Sequence, residues 1–218
     1  MTRLRRTLIR AFANLAGGAI EVFARLVTAV RADWQGIHPE PGRRVYFANH
    51  ASNGDFVLIW TVLPERLRRE TRPVAGADYW PSNRLRAFIG REVFNAILID
   101  RRGEGPRERP VEQMCEALDE GSSLIIFPEG TRNLTEEPLL RFKTGLFHLV
   151  EARPEIDCVP VWIENLNRVM PKGEVVPIPI LCRVRFGAPL RLGSGEERDA
   201  FLDRAREALL SLAPGGAA

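Results

Sequence analysis

Two side chains in the first quarter of the sequence have the types and spacing for proton transfer. They are His50 and Asp55, at the end of the run Val45-Tyr46-Phe47-Ala48-Asn49-His50-Ala51-Ser52-Asn53-Gly54-Asp55. Val45, Tyr46 and Phe47 are the β-branched and aromatic residues of a short buried strand, and Asn53-Gly54 is turn chemistry. His50 then stands at a strand end, facing a loop. A turn at Gly54 folds Asp55 back so that its carboxylate accepts a hydrogen bond from one ring nitrogen of His50, leaving the other nitrogen as a general base. A buried His that caps a turn has the same local sequence, and the pair alone does not separate the two readings. The chain has no Gly-x-Ser-x-Gly elbow, so the hydroxyl to be activated belongs to a substrate.

A second run, Ser122-Ser123-Leu124-Ile125-Ile126-Phe127-Pro128-Glu129-Gly130-Thr131-Arg132, is again an apolar strand entering a polar turn. Arg132 supplies the side chain that best matches a phosphate, a planar fork that stays charged at any working pH. In an open α/β sheet, loops at the carboxyl ends of strands gather where ligands bind. A base beside a phosphate clamp points to a phosphorylated alcohol held for attack.

These motifs resemble those of the glycerolipid acyltransferases. Asn49 to Asp55 is similar to the family's His-x4-Asp motif and Phe127-Pro128-Glu129-Gly130-Thr131-Arg132 to its phosphate-binding motif. Asn95-Ala96-Ile97-Leu98-Ile99-Asp100-Arg101 is similar to the second block and Val159-Pro160-Val161 to the fourth, in the family's order. The match runs from about Arg43 to about Val161 and is nearest to the bacterial 1-acylglycerol-3-phosphate acyltransferases. The resemblance implies direct transfer of a fatty acyl group from acyl-CoA or acyl-carrier protein to the free hydroxyl of a lysophospholipid, giving phosphatidic acid from 1-acylglycerol-3-phosphate. It implies His50 as base and Asp55 as its orienting partner, with Arg101 and Arg132 clamping the phosphate. Glu129, Gly130 and Thr131 would shape the loop and bond the glycerol, and Val159, Pro160 and Val161 would line the acyl site. No cofactor or metal is implied beyond the acyl thioester co-substrate. Other acceptors, such as lyso-ornithine lipid, and a non-catalytic membrane-surface relative stay open. Two departures stand out: Asn95 replaces a customary Gly, and the Lys that often follows Pro73-Val74-Ala75 is missing, which leaves oxyanion stabilisation to main-chain donors, Arg72 or another cation.

These loops need a sheet to hold them. Strand-like runs recur at Val74 to Ala77, Ala96 to Asp100, Leu124 to Phe127, Val159 to Ile163 and Ile180 to Phe186. Helical patterns fall at Ser82 to Gly90, Arg107 to Glu120, Thr144 to Ala152 and Glu196 to Leu212. The alternation predicts an α/β fold: one domain over residues 43–212 with a mixed central sheet flanked by helices, and a short tail at 213–218. At 218 residues, 45% hydrophobic and 27% charged, the chain is long enough for one such core.

The positive charge is not spread evenly. The net charge is +3, yet residues 1–34 alone carry Arg3, Arg5, Arg6, Arg10, Arg25 and Arg31 against Glu21 and Asp33. At helical spacing all the arginines but Arg5 gather within an arc of roughly 120°, opposite Leu4, Leu8, Phe12, Leu15, Ala19, Phe23, Leu26 and Val30. Residues 1–36 are therefore expected to form an amphipathic helix, or a helix pair hinged at Gly17-Gly18, lying peripherally on an anionic membrane at its cytoplasmic face with Trp34 as anchor. Arg10, Glu21 and Arg25 argue against a spanning helix and a cleaved signal. Arg66, Arg68, Arg69 and Arg72 read as a solvated face or as a docking patch for an acidic carrier protein or CoA phosphates. Lys143, trailing the phosphate motif, is read equally as a phosphate contact or a partner of surface carboxylates. Three dispersed cysteines, Cys115, Cys158 and Cys182, argue for a reducing compartment and against a zinc site. The absence of Walker and Gly-x-Gly-x-x-Gly loops disfavours ATP and NAD chemistry, and no nucleic-acid-binding motif occurs.

Overall fold

The computed structural model describes residues 3–77, 80, 83–100, 109–165 and 181–215. Its seven strands are β1 (Arg31–Trp34), β2 (Arg44–Ala48), β3 (Thr71–Gly76), β4 (Ile97–Ile99), β5 (Ser123–Ile126), β6 (Asp157–Glu164) and β7 (Arg183–Phe186). They form one sheet in the order β1-β7-β6-β2-β5-β3-β4. Every neighbouring pair is parallel except β6 and β7. This is the mixed α/β sheet expected.

All five residues of β2 are buried, because the strand is covered on both faces. Val45 and Phe47 point into a core shared with α5 (Arg109–Asp119), α6 (Gly145–Ala152) and α7 (Arg198–Leu210), through Leu118, Leu146 and Phe201. Tyr46 and Ala48 point to the other face, where α2 (Asp55–Val62) brings Leu58 and Ile59. The short α3 (Glu65–Glu70) and α4 (Arg84–Phe88), the latter continued by one π-helical turn at Ile89–Val93, complete that side. Parallel register sets Phe47 beside both Ile126 and Pro160, so the loops after β2, β5 and β6 leave one edge together.

Of the two forms expected for the amino-terminal segment, the single helix is the one seen, and it differs from expectation at its end. The first helix, α1 (Arg3–Thr28), is unbroken through Gly17-Gly18. Gly17 is a packing position: a Cβ there would lie 3.4 Å from Val93 and 3.5 Å from Trp60, so the small residue lets α1 close on the body. The helix also stops short of residue 36. Arg31–Trp34 is strand β1, paired with β7, and the Trp34 ring stacks on Phe186 at 3.9 Å. Trp34 is half-buried against the sheet. Arg68 is no solvated residue, since it ion-pairs with Glu21 of α1 and lies over the Trp60 ring.

Candidate functional site

His50 sits two residues past β2, and four contacts fix it. The side chain of Asn49 first extends the β2–β6 ladder by one rung: its amide donates to Ile163 O at 3.0 Å and its carbonyl accepts from Ile163 N at 2.7 Å. The main-chain N–H of His50 then donates to Glu129 Oε1 at 2.7 Å, and its carbonyl accepts from Asn133 N at 2.6 Å. The imidazole stacks on Phe127 at 4.2 Å. Asp55 holds the ring edge, with Oδ2 at 2.8 Å from His50 Nδ1.

Asp55 fixes the tautomer of this ring. It is the first residue of α2 and only 1% exposed. The oxygen that meets Nδ1 also accepts from Ala51 N at 2.7 Å and Ser52 N at 2.8 Å. An oxygen already taking two N–H donors at the positive end of a helix is a carboxylate oxygen, so Nδ1 must donate to it. The lone pair is then on Nε2, which is the arrangement of a general base.

Glu129 is buried between the His50 main chain and the 127–140 loop. It is 1% exposed, and its second oxygen accepts from Leu140 N at 2.9 Å. Burial raises its pKa above the usual carboxylate range, partly offset by these two main-chain donors. Its carboxylate is a strut joining the His50 main chain to the 127–140 loop. Gly130, with φ +71°, turns that loop under a bond from Gly130 N to Phe127 O.

Three cavities converge on His50. The first, about 450 Å³, has an acidic wall at Glu136, Glu137 and Glu164. The second, about 220 Å³, is bounded by Pro73 to Gly76 and by Thr131 and Arg132. Both Thr131 and Arg132 are exposed, and Arg132 has no carboxylate partner among the described residues. The third, about 390 Å³, is lined by Val74, Ile99, Met114, Ile126 and Phe127 together with Lys143 and His148.

Val159, Pro160 and Val161, expected at an acyl site, border none of these cavities. They are buried in the middle of β6: Val159 and Val161 are 0% exposed and pack with Tyr46 and Ile125 in the sheet core. The apolar wall nearest His50 comes from β3, β4, α5 and β5 instead. Arg72 is bonded to Asn95 O and Glu120, so it is not the oxyanion cation. Arg101 lies outside the described residues. Asn95, where the second block customarily has Gly, adopts φ +49°, a left-handed conformation that Asn tolerates better than most residues. Among the described residues no cluster of His, Cys, Asp or Glu could hold a metal. Asn49 and Phe127 were missed from the sequence. Each adjoins a motif residue in the chain, the one signal that pointed to them.

The sequence model of a family described as Acyltransferase matches residues 32–164. The chain is 29% identical over 182 residues to a 1-acyl-sn-glycerol-3-phosphate acyltransferase of Chlamydomonas reinhardtii, covering 81% of this chain and 50% of that one. It is 31% identical over 171 residues to the Dictyostelium discoideum protein named Taffazin, covering 73% and 57%. It is 32% identical over 113 residues to a 1-acyl-sn-glycerol-3-phosphate acyltransferase of Haemophilus influenzae, covering 49% and 42%. The chain thus spans about half the length of the curated relatives it matches. The crystal structure of the 1-acyl-sn-glycerophosphate (LPA) acyltransferase PlsC from Thermotoga maritima superposes with a TM-score of 0.67 at 19% identity, over 96% of this chain and 81% of that one, a likeness of fold.

Proposed function

We propose that this chain, which belongs to the Acyltransferase family, moves a fatty acyl group from a thioester to the free hydroxyl of 1-acylglycerol-3-phosphate. The observation that carries the reading is the His50–Asp55 pair, which borders a cavity that also holds Arg132, a cation without a carboxylate partner among the described residues. Nε2 takes the proton of the acceptor hydroxyl as its oxygen attacks the thioester carbon. The tetrahedral intermediate collapses with cleavage of the C–S bond, and the imidazolium returns the proton to the leaving thiolate. The products are phosphatidic acid and a free thiol. Arg132 holds the acceptor's phosphate, and Asp55 stabilises the transient imidazolium.

The site works at a membrane surface. By length and composition α1 is able to cross a bilayer. Its ties to the body favour a peripheral position, lying along the cytoplasmic face of an anionic membrane: Glu21 pairs with Arg68, and Arg25 donates to Thr61 O at 2.9 Å. One face, with Ala13, Gly17 and Ala24, packs inward while Leu4, Leu8, Phe12, Leu15, Phe23 and Leu26 stay exposed on the side opposite Arg3, Arg6 and Arg10. Such a face matches an anionic lipid headgroup layer.

A second acceptor class has an observation of its own. The acidic wall of the 450 Å³ cavity suits a lysolipid bearing a cationic group, such as lyso-ornithine lipid. The test incubates the protein in anionic vesicles with labelled acyl-CoA and a panel of lysolipids, and reads products by mass spectrometry. Phosphatidic acid as main product supports the proposal. Acylation only of amine-bearing lysolipids transfers it to the second reading, and acyl-CoA hydrolysis without lipid product refutes both.

A further inference from the structure

The reaction joins two substrates at one imidazole, and two cations that have no carboxylate partner among the described residues border different cavities at His50. Arg132 borders the 220 Å³ cavity and Lys143 the 390 Å³ one. We propose that Lys143, with His148 beside it, is the anion subsite for the acyl donor, binding a phosphate of its phosphopantetheine arm. This rests on the acyltransfer reading above.

The lining of the cavity is the first argument. It brings His50 together with the apolar Val74, Ile99, Met114 and Leu146 and with Lys143, Thr144 and His148. A pantetheine arm is a slender, largely uncharged chain that begins at the thioester and ends at a phosphate. Apolar walls, an imidazole and an ammonium in one cavity are the groups such an arm calls for.

The second argument is that Lys143 is held in place. Its main-chain N–H donates to Pro128 O at 2.7 Å. Its aliphatic stem crosses Gly130, where a Cβ would come within 3.0 Å of Lys143 Cγ. The glycine of the phosphate motif therefore serves two ends, its own φ of +71° and the passage of this lysine. No carboxylate among the described residues neutralises the ammonium. His148, one turn into α6, has Nδ1 turned to Glu151 at 3.3 Å, which leaves Nε2 to hydrogen-bond a ligand. The first-turn amides of α6 add their partial positive charge at the same rim.

The acidic cavity excludes the alternative placement. An anionic donor entering past Glu136, Glu137 and Glu164 would meet three carboxylates, of which only Glu164 is ion-paired among the described residues, to Arg185. With Arg132 engaged by the acceptor, the Lys143 cavity is the arm left for the donor.

The experiment uses Lys143→Met, which keeps the stem and removes the charge, and Lys143→Arg, which restores it. Lys143 is exposed, so both variants keep the fold. Three donors are compared with lysophosphatidate held fixed: acyl-CoA, acyl-carrier protein and acyl-N-acetylcysteamine, a thioester without any phosphate. A charged hydrogen bond of about 1.5–3 kcal/mol predicts that Lys143→Met raises KM for acyl-CoA by roughly 10- to 150-fold. KM for lysophosphatidate and all constants with acyl-N-acetylcysteamine stay at wild-type values, and Lys143→Arg recovers most of the loss. An equal loss with acyl-carrier protein assigns the phosphate that both donors share; a loss with CoA alone points to a phosphate outside the phosphopantetheine arm and overturns the assignment. A defect that persists with acyl-N-acetylcysteamine, or that falls on KM for lysophosphatidate, overturns the proposal. Calorimetric binding of CoA is measured in parallel. If wild type turns over no donor, the transferase reading fails by itself, while weaker CoA binding by Lys143→Met still supports the subsite and unchanged binding refutes it.

Discussion

Asp55→Asn separates two roles that are usually lost together. Three N–H donors converge on Asp55 Oδ2: His50 Nδ1 at 2.8 Å, Ala51 N at 2.7 Å and Ser52 N at 2.8 Å. An Asn side chain must put its carbonyl oxygen there, because its NH2 would face three donors. The ring orientation and the Nδ1–H tautomer therefore survive, and only the negative charge is lost. A unit charge about 4 Å from the forming imidazolium contributes about 4 kcal/mol at an effective dielectric near 20. Part of that is recovered by the neutral hydrogen bond, about 0.5–1.5 kcal/mol. The net loss of about 2.5–3.5 kcal/mol corresponds to a kcat lower by roughly 10²- to 10³-fold. Asp55→Ala loses orientation as well and leaves the three donors without an acceptor, so its rate falls to that of a His50→Ala enzyme. Its stability falls by about 3 kcal/mol, or roughly 6–12 °C in Tm. The assay is steady-state acyl transfer in vesicles, with Tm followed by circular dichroism. Wild-type kcat in Asp55→Asn would refute the charge argument, and equal rates for the Asn and Ala variants would refute the claim that geometry alone retains part of the activity.

Three further outcomes follow from the same contacts. Arg132→Ala lowers kcat/KM for phosphate-bearing lysolipids by roughly 10- to 150-fold, the worth of a charged hydrogen bond, and leaves acceptors without a phosphate unchanged in competition assays. For Glu129, burial raises the folded pKa above the ordinary 4.5, so the folded state keeps the proton to higher pH and the group's contribution to stability falls as pH rises from about 4.5 through the folded value. Urea titrations over that window should show the stability difference moving in favour of Glu129→Gln as pH rises, while its kcat falls on the order of 10²-fold because one main-chain donor loses its acceptor and His50 shifts; a difference that moves the other way contradicts the assignment. Replacing Leu8, Phe12 and Leu15 together by Ser removes three exposed side chains worth at least about 1.5 kcal/mol each if buried in lipid, which predicts vesicle partition lower by about 10³-fold in flotation, with turnover of soluble short-chain substrates retained.

Much of the site was legible because it is local. His50 and Asp55 lie on one strand–turn–helix unit, and the phosphate motif lies on another, so side-chain type and spacing were enough. The misreadings concern long-range partners. Arg31-Ala32-Asp33-Trp34 has little strand character of its own, and its conformation is set by β7, some 150 residues later in the chain. Val159-Pro160-Val161 is apolar enough to line a tunnel, but its register beside Phe47 and Ala48 buries it in the sheet. Pro160 is tolerated there at the end of the β6–β7 ladder, where Gly187 N donates to its carbonyl at 2.9 Å. For Glu129 the resemblance implied a residue that shapes its loop and bonds the glycerol; that its two oxygens accept from the main chains of residues 50 and 140 is a long-range arrangement that no local spacing carries.

The most direct test of the central claim is the rate of acyl transfer by His50→Ala in vesicles with acyl-CoA and lysophosphatidate. The contacts of residue 50 to Glu129 and Asn133 are main-chain contacts, so the variant keeps its loop and loses only the imidazole. A folded variant whose kcat is lower by about 10²- to 10⁴-fold is the predicted result. A folded variant that makes phosphatidic acid at the wild-type rate would contradict the account.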